Sequence, residues 1–262
     1  MGSIHPTAVI DPGAQLDSGV AVGAYTVIGP HVRIGAGTWV GPHVVIEGHT
    51  TIGRDNKLFQ FSSIGAPPQD KKWAGEPTRL EIGDRNTIRE FCTFNTGTVQ
   101  DAGVTRLGHD NWISAYVHLA HDCQVGDNTI FSNNAQLAGH VQIGDWVIMS
   151  GFANVHQFCK IGAHAFVGMS TSLTQDVPPF VLLSGNPAAA HGVNIEGLKR
   201  RGFTRAQIDG IRAAYKLIYR SSLTLEEAKV ALLAEEASTP DAAPQIRAMR
   251  EFLDSASRGI VR

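Results

Sequence analysis

The sequence predicts a mainly β fold: a parallel β-helix of hexapeptide repeats, closed by a C-terminal α-helical domain. Three observations carry that reading. An apolar residue falls at every sixth position from Ile4 through Ile10, Leu16, Val22 and Ile28 to Ile64, then again at Ile82, Ile88 and Phe94 and from Leu107 to Leu173. A small residue usually stands four places later, as at Ala8, Ala14, Thr26, Thr38, Thr50 and Ser62. Beyond Leu173 the period ends and helix-capping pairs take over. A period of six suits neither an amphipathic helix nor an alternating strand, but three hexads close one triangular coil. Residues eighteen apart should then stack at about one strand spacing, ~4.8 Å.

Taken in order, residues 1–190 form the predicted β-helix, with two interruptions. The segment 66–81, with its prolines, charges and Trp73, reads as a loop thrown outward, and the hexad phase resumes after it. Residues 100–106 read as a shorter excursion. Such interruptions commonly place functional loops on one face. The prolines Pro178, Pro179 and Pro187 end the repeat, and 191–262 reads as the helical domain. Thr204 with Gln207, and Thr224 with Glu227, are capping boxes opening helices near 204–221 and 224–236. A last helix follows Pro240 and Pro244, near 245–255. These helices are suited to covering the open end of a solenoid, where strand edges would otherwise be unpaired.

Composition narrows the function classes. The chain has 262 residues, 28 glycines and a net charge of −2. From Lys199 onward there are twelve Lys or Arg against eight Asp or Glu, so that stretch is +4 and the remainder −6. No run of eighteen apolar residues offers a spanning helix, and the N-terminus lacks a secretory pattern, so a cytoplasmic protein without membrane insertion is expected. Cys92, Cys123 and Cys159 each stand four places after a repeat residue and read as small buried hydrophobes. Their odd number and spacing suit neither a disulfide framework nor a zinc cluster.

The winding gathers histidines. His118, His121, His140 and His156 fall in one sector of consecutive coils, while His109 and His164 fall in another. Asp122 follows His121 directly. A carboxylate beside an imidazole fixes its tautomer and stabilises the imidazolium formed when it takes a proton, which makes His121 the candidate general base. A histidine cluster could instead hold zinc, as in the gamma-type carbonic anhydrases, and a non-catalytic scaffold is a third class. The scaffold leaves the His sector and the long loop without a purpose, and the hydrase leaves unexplained the basic helix, where Arg212, Lys216 and Arg220 share a face. That stripe suits a phosphate-bearing ligand or an acidic protein partner. It is short and lacks interleaved aromatics, so nucleic acid is not expected.

The motifs QDKKWAGEPTR (residues 69–79), HLAHD (118–122), NNAQLAGHV (133–141), VHQF (155–158) and NIEGLKRRGF (194–203) resemble the UDP-N-acetylglucosamine O-acyltransferase family of lipid A synthesis. The resemblance spans essentially the whole chain. It implies a left-handed β-helix, an exception to the right-handed crossover rule. It further implies a homotrimer with sites between subunits, and transfer of an (R)-3-hydroxyacyl chain from acyl carrier protein to the sugar 3-hydroxyl. By that resemblance His121 is the base, Asp122 its orienter and Gly139 the backbone donor to the oxyanion. Asp70, Lys72, His118, His140, His156 and Gln157 match positions lining the nucleotide-sugar and acyl site. Asn194, Glu196, Arg200 and Arg201 match the region holding uridine and diphosphate. Arg212, Lys216 and Arg220 would face the carrier protein. No metal or dissociable cofactor is implied, since phosphopantetheine arrives on the donor. Asn95-Thr96 departs from the family's usual His-Arg pair.

Gly151 and Met169 are eighteen apart and should stack. In the family, the position matching Met169 measures the acyl chain. A thioether there should cap the slot sooner than Gly would, giving a preference for about ten carbons over fourteen.

Overall fold

The computed structural model describes residues 2–262. The chain winds into a left-handed parallel β-helix whose strands, mostly two residues long, stack into three parallel sheets. Sheet I runs from Val9–Ile10 to Ser172–Leu173, sheet II from Gln15–Leu16 to Lys160–Ile161, and sheet III from Ala21–Val22 to Ala189–Val193. Each strand keeps its repeat residue inside and the preceding residue outside. From Val22 onward the repeat residues are buried. The first coil is open, and Ile4 is 54% exposed. The small residues predicted to point inward do so: Thr26, Thr38, Thr50, Cys92, Cys123 and Cys159 are buried, and the three thiols are free.

The corners are built on backbone that most residues avoid. Asp122, His140, Phe158 and His164 all have φ between 61° and 67°. A left-handed residue closes the corner in few atoms at a cost of about 1–2 kcal/mol, which the stacked coils must offset.

The sequence expectations need three corrections. The first excursion is narrower than 66–81, because Arg79–Ile82 is a strand paired with His49–Ile52. Across it, residues eighteen apart do not stack: Ile82 lies on Ile52 and Phe94 on Ile64. The second excursion is displaced from 100–106. Val104–Leu107 is a strand on Arg79–Ile82, and the excursion lies just before it, anchored by Gly97 N–H to Arg79 O and Arg79 N–H to Gly103 O. Buried Val104 and Thr105 already belong to the core, which is why the chain rejoins the coil early. Third, the sheet does not end at residue 190. Ala189–Val193 folds back antiparallel on Val181–Ser184.

The helical region then starts at Asn194. Helix α1 spans Ile195–Arg200, α2 Arg205–Tyr219, α3 Leu225–Ser238 and α4 Ala243–Ser255. Both anticipated capping boxes form, at Thr204 and Thr224. The short α1 lacks a periodic pattern and was not anticipated. Leu198, Ile208, Ile211, Ile218, Leu232 and Ile246 make a second core continuous with Phe180. The C-terminal tail is sewn back onto the coil through buried Asp176, whose carboxylate accepts from the N–H groups of Lys160, Ser257 and Arg258. Among the described residues no helix is long and apolar enough to cross a membrane.

Candidate active site

The site forms where sheet I turns into sheet II. His118 leaves sheet I facing outward, with Gln136 and Asn154 stacked above it in register. His121 stands at the corner, and the next coil places Gly139 over it, with His140 N–H donating to His121 O at 3.0 Å. A groove of about 400 Å³ is lined by Gln69, His118, His121, Gln136, Gly139 and Asn154.

Asp122 does not reach outward beside His121, as a simple corner would allow. It is 2% exposed, covered by the second excursion. Its Oδ2 lies 2.9 Å from His121 Nδ1 and accepts from Thr98 Oγ1 at 2.6 Å, while Oδ1 accepts from Thr98 N–H at 2.9 Å. Burial pushes this carboxyl up, but the hydrogen bonds from His121 and Thr98 more than offset it, and the group is held below its usual range. Since an ionised carboxylate only accepts, His121 Nδ1 carries the hydrogen and Nε2 is its free lone pair. Gly139 is required here: a Cβ at that position would sit 2.5 Å from His121 Cε1 and 2.7 Å from Nε2.

Of the four gathered histidines, only His118 and His121 line the groove. Burial holds His118 below the usual imidazole range, so it is neutral at pH 7, and its Nδ1 lies 2.7 Å from Thr93 Oγ1. His140 stacks on Phe158 with centroids 4.3 Å apart, sits edge-on to His121 at 5.0 Å, and directs Nδ1 to Asp101 at 2.8 Å. His156 is exposed and turned toward Arg258, and Gln157 beside it is exposed as well. The ligand atoms of His121, Asp122 and His140 lie within 4.8 Å of one another. That spacing would admit a cation, but both Nδ1 atoms are engaged by carboxylates and Asp122 is engaged by Thr98, so the trio reads as a hydrogen-bonded relay.

The remaining anticipated residues divide. The first excursion contributes Gln69 to the groove, whereas Asp70 and Lys72 bond to each other through Lys72 N–H and Asp70 Oδ1. Asn194 is buried, and its carboxamide is spent: Oδ1 accepts from Gly197 N–H and Nδ2 donates to His164 O. It positions α1 and has little left for a ligand. Glu196 pairs with Lys199, and Arg200 is exposed. Arg201 lies over the Trp146 ring and donates to His164 Nδ1 at 3.2 Å. His164 stands at the corner between sheets II and III, one full sheet away from His121. A single chain therefore does not bring Arg200 and Arg201 to the base. Asn95 and Thr96 are buried, with Asn95 Nδ2 donating to Pro67 O and Thr96 bonded to Thr78. They fasten the two excursions together. Gly151 and Met169 stack at the corner between sheets III and I, and Met169 is 71% exposed. Arg212, Lys216 and Arg220 share an exposed face.

Gln136 and Asn154 were legible in principle, as the residues eighteen and thirty-six after His118. Thr98 was not, because an insertion breaks the arithmetic that would place it.

A family model described as UDP-N-acetylglucosamine O-acyltransferase, domain 2, matches residues 176–261, and one for bacterial transferase hexapeptide repeats matches 105–139. The acyl-[acyl-carrier-protein]--UDP-N-acetylglucosamine O-acyltransferase of Herminiimonas arsenicoxydans is 65% identical over the full length of both chains, and that of Thiobacillus denitrificans 60%. Among solved structures, LpxA from Acinetobacter baumannii is 47% identical and the UDP-N-acetylglucosamine O-acyltransferase of Moraxella catarrhalis 45%. Each match covers 99% of both chains with a TM-score of 0.95.

Proposed function

The chain belongs to the UDP-N-acetylglucosamine O-acyltransferase family, and from that premise we propose how its residues carry out the transfer. It is an acyl-carrier-protein-dependent O-acyltransferase of the first step of lipid A synthesis. The zinc hydrase and the scaffold fall away with that assignment. The acceptor is the 3-hydroxyl of UDP-N-acetylglucosamine, and the donor is an (R)-3-hydroxyacyl thioester. His121 Nε2 takes the hydroxyl proton as the sugar oxygen attacks the thioester carbonyl. The Gly139 N–H, which meets no acceptor among the described residues, donates to the oxyanion. When the C–S bond breaks, the imidazolium returns its proton to the leaving phosphopantetheine sulfur. Asp122 stabilises the imidazolium between the two steps. No metal takes part.

The observation that carries this reading is the Thr98–Asp122–His121 chain ending with a free Nε2 on the groove. His118, Gln136 and Asn154 border the acceptor, and Gln69 closes it from the first excursion. Met169 caps the acyl slot at its far corner and favours a chain of about ten carbons. Arg200 and Arg201 of a neighbouring copy bind the diphosphate, and the site lies between subunits of a homotrimer. Arg212, Lys216 and Arg220 steer the acidic carrier protein. The test is acyl transfer from defined carrier-protein thioesters to UDP-N-acetylglucosamine. His121→Ala lowers kcat by about 10³ with folding intact, and a chelator leaves the wild-type rate unchanged. A His121→Ala enzyme within tenfold of wild type would remove the base.

A further inference from the structure

We infer that Asp101 is a positioning residue: it holds the His140 N–H away from Asp122, so that Asp122 serves His121 alone. The inference rests on His121 being the base. Asp122 Oδ2 lies 2.9 Å from His121 Nδ1 and only 3.8 Å from His140 Nδ1. Two imidazoles thus compete for one buried carboxylate oxygen. Asp101 Oδ2, 2.8 Å from His140 Nδ1, is the alternative acceptor that settles the competition. The same His140 nitrogen lies 2.8 Å from one acceptor and 3.8 Å from the other.

The second excursion couples both halves of this arrangement. Thr98 gives its N–H and hydroxyl to Asp122, and its carbonyl accepts the N–H groups of Asp101 and Gly103. One tight turn therefore fixes Asp122 from one end and reaches His140 from the other. Phe158 stacks on His140 and restricts the ring to its plane, so the choice of acceptor becomes the choice of ring orientation. The titratable groups facing His121 are Asp122 on its own corner, His140 from the next coil and His118 from sheet I. Asp101 from the excursion faces His140, and the first excursion brings only neutral Gln69 to the groove. Without Asp101, His140 turns to Asp122, the His121 imidazolium loses part of its counter-charge, and His121 becomes a weaker base.

Steady-state kinetics with the acyl-carrier-protein donor test this on the full-length protein. Asp101→Ala lowers kcat about tenfold with KM within about twofold, and moves the acid limb of kcat/KM down by about half a pH unit. Asp101→Asn, whose amide oxygen still accepts from His140, stays close to wild type. His140→Phe removes the competing N–H and keeps the ring, at a corner type where Phe158 already adopts the same backbone. In that background Asp101→Ala changes neither kcat nor the acid limb. Thermal unfolding of each Asp101 variant matches its parent, Asp101 being on the surface. An unchanged kcat and acid limb in Asp101→Ala overturns the inference, as does an equal loss in the His140→Phe background. His121→Ala run alongside separates the failures. If it is inactive while Asp101→Ala is unaffected, only the role of Asp101 falls; if it is active, the base itself is wrong.

Discussion

At the scale of single residues, the site depends on what Gly139 lacks. Any Cβ there would enter the space of the His121 ring. Gly139→Ala forces the imidazole to rotate and lengthens its 2.9 Å bond to Asp122. The expected result is a fall in kcat of about 10–100-fold, with the melting temperature shifted little because the displaced His121 ring can swing into the groove it lines. Kinetics and thermal unfolding on one preparation check this. Met169 is the complementary case, a side chain added where the family resemblance anticipates Gly. Its exposure leaves the thioether free to lie along the proposed acyl slot. Met169→Gly should therefore move the preferred donor from about ten carbons toward fourteen, each added methylene contact being worth about 0.8 kcal/mol. Equal preference before and after would end the ruler argument. The adjacency of His121 and Asp122 was legible in the sequence, and so was the stacking of Met169 on Gly151, whose role in chain length comes from the resemblance alone. The sequence concealed the burial of Asp122, which depends on an inserted turn lying over it.

At the scale of elements, α1 is held to the solenoid by a pH-sensitive latch. Arg201 can only donate, so His164 Nδ1 must accept, and it does so only as the neutral imidazole. Burial, with the Arg201 charge second, lowers His164 from 6.5 to about 4. The sign follows from linkage. Above pH 6.5 the group is neutral whether the chain is folded or not, and its contribution to stability is complete. Between pH 6.5 and 4 only the unfolded chain takes up the proton, so stability is lost as pH falls. Below about 4 the folded imidazole protonates and releases Arg201. The melting temperature should thus fall on acidification through this window, and fall less steeply in His164→Phe. Phe180 already occupies the next corner of that stack with φ 69°, so the backbone accepts the change. Parallel slopes for the two proteins would dismiss the latch. Helices α2 and α3 were legible from capping boxes, since a Thr and a Gln or Glu three places on satisfy end groups locally, and α4 from the prolines before it. Helix α1 was not, because a six-residue helix held by a buried Asn and a neighbouring corner has no local signature.

At the scale of the whole molecule, the three outer faces differ in what they offer to a second copy. Sheet II presents Gln15, Arg33, Arg106, Gln124, Gln142 and Lys160 to solvent. Sheets I and III carry exposed Val9, Val27 and Val45, and Trp39, Trp112 and Ile130. The corner between them is an aromatic ladder in which Tyr25, His43, Phe61, Phe91 and Tyr116 stack at 4.8–5.2 Å. An apolar edge with exposed apolar residues on both adjoining faces suits a cyclic trimer with that edge on the three-fold axis. In the proposed trimer, sheet I of one copy would face sheet III of the next. The outer rims of those faces are the His121 corner on one copy and the His164–Arg201 corner on the other. In that arrangement the groups that one chain keeps a sheet apart would meet, as the proposed shared site requires; the hexad period, which describes one chain, carries no information about such a meeting. Charges on the edge should undo it: Phe61→Glu with Phe91→Glu gives monomers by light scattering, still β-rich by circular dichroism, with little activity. An active monomer would mean that the site is complete in one chain. Complementation is the sharper measurement. His121→Ala and Arg201→Ala proteins, each inactive alone, are unfolded together and refolded at equal concentrations. If each site takes His121 from one chain and Arg201 from its neighbour, about one quarter of the sites in randomly assembled trimers are intact. Recovery near that fraction requires the shared site; recovery of none places both groups in the same chain's site.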